Sequence, residues 1–100
     1  MTETQKRTCH TILEHYGIES QRRILVEECA ELIQAVSKVE RNGSTTETIR
    51  NLFTEIADVE IMLEQVKHYY SEWGTERLID YKLIRQLERI KKEGESDETD

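Results

Sequence analysis

LVEECAELIQAV at residues 25–36 and LFTEIADVEIMLEQV at residues 52–66 are the two stretches whose reading decides the fold. Each carries apolar residues at helical spacing, and each carries two acids at i, i+3 that share a helix face: Glu28 with Glu31, and Glu55 with Asp58. Between them, Asn42 and Gly43 mark a tight turn. Two helices folded back across that turn place residues level when their numbers add to one constant total, and Glu28/Asp58 and Glu31/Glu55 share the same total. Both pairs then stand at matching heights, ~18 Å from the turn at the helical rise per residue. Four converging carboxylates suit a hard divalent cation such as Mg²⁺, which takes oxygen ligands and brings phosphate substrates with it.

The apolar pattern separates this reading from that of a solvated acidic face. Ile24, Leu25, Leu32, Ala35 and Val39 fall within about 60° of Glu28 around the helix axis, so Glu28 lies inside the apolar stripe with Glu31 at its edge, while Glu27 points away. Leu52, Val59, Met62 and Val66 frame Glu55 in the same way, with Asp58 on the border. A lone buried carboxylate is costly and tends to protonate, whereas a set that shares a dication stays ionised. The misplaced charge therefore favours a metal site over a hydrogen-bonded structural role.

Proline is absent, and Gly17, Gly43, Gly74 and Gly94 cut the chain into helix-sized pieces. The spacing predicts an all-α fold with four helices at about residues 4–16, 20–41, 45–70 and 75–92. Their stripes are Cys9, Ile12, Leu13 and Tyr16 in the first, Ile24, Leu25, Leu32, Ala35, Val36 and Val39 in the second, Leu52, Ile56, Val59, Leu63 and Val66 in the third, and Ile79, Leu83, Leu87 and Ile90 in the fourth. Ser44 with Glu47 has the capping-box spacing ahead of the third. Residues 1–93 read as one domain, and residues 94–100, GESDETD, as an acidic disordered tail.

A formal charge of −7 argues against binding a nucleic acid polymer, which needs a dominant basic surface, but is compatible with a nucleotide that arrives with its metal. Cys9 and Cys29 are too few for a disulfide framework or a zinc site and read as buried free thiols in a reducing compartment. No apolar run approaches membrane-spanning length and the first residues lack a secretion signal, so a cytoplasmic protein that avoids membranes is expected. The chain is small for its apolar content. Val26, Ile33, Phe53 and Ile61 lie on arcs that the carboxylate-bearing faces do not use, which predicts self-association as a homodimer or tetramer.

Taken with their apolar frame, the two opening stretches resemble the E-E-x-x-E, spacer, E-x-x-D signature of the MazG-like, all-α nucleoside triphosphate pyrophosphohydrolases. The resemblance covers the second and third helices best, about half of the chain. It implies an oligomeric helical bundle in which Glu28, Glu31, Glu55 and Asp58 bind Mg²⁺, with Mn²⁺ as a substitute, and Glu27 fills the first acidic place. The activity implied is hydrolysis of an NTP or dNTP to the monophosphate and pyrophosphate. Glu28 or Glu27 is then the candidate to steer or deprotonate the attacking water. Two other readings stand beside it: a relative with narrow specificity, such as a dUTPase-like enzyme, and a non-catalytic helical interaction module. A di-iron bundle needs Glu-x-x-His pairs, and His10, His15 and His68 do not follow a Glu at that spacing.

Other residues carry two readings each. Lys82, Arg85 and Arg89 share a face of the fourth helix and would either hold substrate phosphates or form a solvated face paired with acids such as Glu88. Tyr69, Tyr70, Trp73 and Tyr81 surround the last turn and would either stack on a base or pack the junction. The three histidines, without partners at useful spacing, are expected at the surface.

Overall fold

The computed structural model describes residues 1–99, which form four α-helices and no strand: α1 (Glu3–Tyr16), α2 (Ile18–Asn42), α3 (Thr46–Tyr69) and α4 (Glu76–Thr99). The chain divides into two compact units, one holding α1 to α3 within Met1–Tyr70 and one beginning at Ser71 and holding α4.

Two glycines set the turns of the first unit. Gly17 (φ +86°) and Gly43 (φ +82°) occupy the left-handed region that side chains disfavour, and each N–H closes the preceding helix, on Leu13 O and Val39 O respectively, at 2.8 Å. Because Gly17 alone turns the chain, α2 starts at Ile18, ahead of the expected position.

The cap of α3 differs from the Ser44/Glu47 expectation. Thr45 is the N-cap. Its hydroxyl accepts from Thr48 N–H at 3.1 Å, and Thr48 Oγ1 accepts from Thr45 N–H at 2.9 Å. The physical reason lies in the second bond that Thr48 makes, since its buried hydroxyl also donates to Gly43 O at 2.7 Å and seals the turn, which a carboxylate cannot do.

α2 and α3 run back along one another as the main packed pair, and α1 packs against both. The core is thin: Cys9 and Leu13 from α1, Ala35 from α2, and Val59 and Met62 from α3 are its buried apolar residues. Gln21 and Gln65 are buried with them and bond to each other, Gln21 Nε2 donating to Gln65 Oε1 at 2.8 Å. Tyr16, Val36 and Leu63, expected in the stripes, are exposed, because three helices cover less than the full width of each apolar arc.

In the second unit, Ile79 N–H donates to Thr75 O at 2.8 Å to open α4. The helix does not stop near residue 92. It passes through Gly94 and the acidic stretch expected as a tail, as far as Thr99. A glycine inside a helix costs only about 1 kcal/mol relative to alanine, and the flanking Lys91, Lys92, Glu93 and Glu95 are good helix formers. Asp100 lies outside the described residues. The apolar residues Ile79, Leu83, Leu87 and Ile90 of α4 are exposed. Among the described residues no helix is long and apolar enough to cross a membrane.

Candidate metal centre

The α2/α3 pairing brings the four carboxylates together. One oxygen from each of Glu28, Glu31, Glu55 and Asp58 lies within 4.8 Å of the other three, with Glu31 exposed and the others half-buried. The oxygens differ in how they are satisfied. Oε2 of Glu28 and Oε2 of Glu55 are both buried from water and meet no hydrogen-bond donor.

The electrostatics follow from that arrangement. Burial pushes the Glu28 carboxyl above its ordinary value of 4.5, the charges of Asp58, Glu31 and Glu55 push it further, and a proton shared with Asp58 adds to the rise. Glu55 is raised by burial, by a proton shared with Glu31 and by the charges of Glu31 and Asp58, while Lys38 pulls the other way. These pairings, Glu28 with Asp58 and Glu55 with Glu31, are those that the level relation across the turn requires.

Two orphaned buried oxygens and four repelling carboxylates are both relieved by one species, a hard dication. The donor set is all oxygen, so it fits Mg²⁺ or Mn²⁺ better than a soft metal that seeks nitrogen or sulfur. Glu28, Glu31, Glu55 and Asp58 are the residues that would hold it.

Glu27 is exposed and is not one of the four. Lys82, Arg85 and Arg89 are exposed on α4, where the Arg85 guanidinium lies 5.9 Å from the centre of the Tyr81 ring. Tyr69 and Tyr70 meet edge to face at 4.8 Å, and Tyr70 Oη accepts from Arg22 Nη1 at 2.7 Å, which ties the end of α3 to the start of α2. Trp73 is exposed. The thiols are free: Cys9 is buried, its pKa raised by burial and by Glu64, and Cys29 is half-buried.

The expectation for the histidines needs correction at His10. It is half-buried, its Nε2 lies 2.9 Å from Glu64 Oε2, and its ring stacks on His68 at 3.5 Å. His68 and His15 are exposed as expected. The partners of His10 come from α3, far along the chain, and no local spacing could have signalled them.

No family model, curated protein or solved structure matches this chain.

Proposed function

We propose that this chain is a Mg²⁺-dependent nucleoside triphosphate pyrophosphohydrolase of the MazG-like kind, converting an NTP or dNTP to the monophosphate and pyrophosphate. The observation that carries the reading is the meeting of four carboxylates around two buried, unpartnered oxygens, Glu28 Oε2 and Glu55 Oε2. A bound dication supplies neutralisation of phosphate charge and acidification of a water. The chain's own residues fix where that happens. Glu31, at the exposed edge, leaves the cluster open to solvent on the side from which a substrate enters, while the apolar frame around Glu28 and Glu55 holds those two carboxylates in place. Glu28 or Glu27 is the candidate to steer or deprotonate the attacking water.

Phosphorus NMR of the reaction tests the reading. Monophosphate and pyrophosphate as first products in Mg²⁺, with none in EDTA, are the expected outcome; a diphosphate with inorganic phosphate would refute it. A nucleotide panel in the same assay separates a broad enzyme from a dUTPase-like one. The exposure of Val26, Ile33 and Phe53, at 69%, 65% and 63%, favours association with a second copy and also keeps a non-catalytic interaction module as the second reading. Absence of Mg²⁺ binding would select that module.

A further inference from the structure

A pocket lies between α2 and α3 on the turn side of the carboxylates. Toward the turn, the α2 face that carries Glu28 and Glu31 continues past buried Ala35 to Lys38 and Asn42, and the α3 face that carries Asp58 and Glu55 continues to Thr54 and Asn51, with Arg50 beside it. Lys38, Asn42, Arg50, Asn51 and Thr54 line one open cavity of about 670 Å³ there, together with Glu47. Lys38 stands two helical turns beyond Glu31, ~10 Å along the axis. Among the described residues, neither Lys38 nor Arg50 takes part in an ion pair. The pocket thus holds two cations outside any ion pair and two side-chain amides, on the same helix faces as the four acids and displaced from them toward the turn.

We propose that Lys38 and Arg50 form an anion subsite that receives a phosphate group of a ligand whose other phosphates are held through a dication at Glu28, Glu31, Glu55 and Asp58. This rests on the metal reading above and names the groups that would orient the substrate. The charge order is the one such a ligand requires, because a polyphosphate is drawn to a dication at one point and to Lys or Arg directly at another. Asn42 and Asn51 add amide donors for phosphate oxygens not facing a cation. Glu47, the one acid of this cavity, limits the subsite to a single phosphate group by repelling further negative charge.

The test uses the full chain and inorganic tripolyphosphate with Mg²⁺, followed by calorimetry, with Mg²⁺ binding alone measured in parallel by thermal shift. Lys38→Gln and Arg50→Gln are each expected to weaken tripolyphosphate binding by about tenfold and to leave the Mg²⁺-induced shift unchanged, while Glu47→Gln tightens it. Unchanged tripolyphosphate affinity in both cation variants, with the Mg²⁺ shift intact, would overturn the subsite and leave the metal reading standing. A wild-type chain that shows no Mg²⁺ shift and no tripolyphosphate binding would overturn both.

Discussion

Gln21 and Gln65, hydrogen-bonded to each other at 2.8 Å and 3% and 0% exposed, stand in the same level relation across the α2/α3 turn as Glu28 with Asp58 and Glu31 with Glu55. A buried amide pair is satisfied in one register only, because a slip of one residue turns each side chain through about 100° and leaves its polar atoms unpaired. The pair therefore pins, two turns away, the register on which the carboxylates depend.

Gln65→Leu is expected to destabilise the chain by about 1–3 kcal/mol, since it leaves the buried Gln21 amide without its partner. Urea unfolding measures this. The double variant Gln21→Leu/Gln65→Leu should recover most of the loss, and a double variant as unstable as the single one would show that the hydrogen bond is not the cause.

Glu28→Gln or Glu55→Gln is expected to reduce turnover at least ~100-fold while leaving the helical circular dichroism intact. In EDTA each should raise the melting temperature, because one repelling charge and one orphaned acidic oxygen are removed. Unchanged activity in both would sink the site assignment.

The pH dependence of the metal-free chain follows from the same two acids. Their pKa values are raised above 4.5 in the folded state and ordinary in the unfolded state, so the folded chain binds more protons in the interval between. Their contribution to stability is fully present below the ordinary value and is lost as pH rises through the raised ones. In EDTA the melting temperature should therefore fall as pH rises above the ordinary carboxylate range, and the slope should flatten in Glu28→Gln/Glu55→Gln. Saturating Mg²⁺ should reverse the trend, since protons compete with the metal for the carboxylates. An equal slope in wild type and double variant would count against this account.

His10→Ala removes both the contact with Glu64 and the stacked ring of His68 that hold α1 to α3. For a partly exposed pair the expected loss is about 1 kcal/mol. Hydrogen exchange should speed up in α1 before it does so in α2 and α3, and uniform acceleration would contradict a local role.

Light scattering after size exclusion is expected to find a dimer or tetramer, and Ile33→Glu/Phe53→Glu to shift it toward monomer. A monodisperse wild-type monomer of 11.8 kDa that still hydrolyses nucleotide would refute the association.

The α2/α3 hairpin was legible because two independent signals agree on it: acids displaced into apolar stripes, and a glycine where the chain must reverse. The same level arithmetic also contains Gln21 and Gln65, but polar residues on a stripe reveal nothing until their partner is known. Contacts of α1 were not legible, since Gly17 joins it to α2 without a spacer and packing alone decides which residues of α3 it meets. The cap of α3 was misplaced by one residue, because Ser44/Glu47 and Thr45/Thr48 offer equal local chemistry and only the bond from Thr48 to Gly43 separates them. The length of α4 was underestimated because a single glycine weakens a helix without ending it.

The connection at residues 43–45 also bears on the order in which the molecule assembles. All four carboxylates lie between residues 28 and 58, on helices joined by that one short link, so the contacts that build the cluster have low sequence separation and close quickly. The earliest compact species is then also the one that forces four acids together, before α1 has covered the hairpin. Its lifetime depends on protons or dications in the surrounding solution, so refolding from urea should accelerate with added Mg²⁺ at neutral pH, with the counter-ion acting as a kinetic partner in folding before it serves any chemistry.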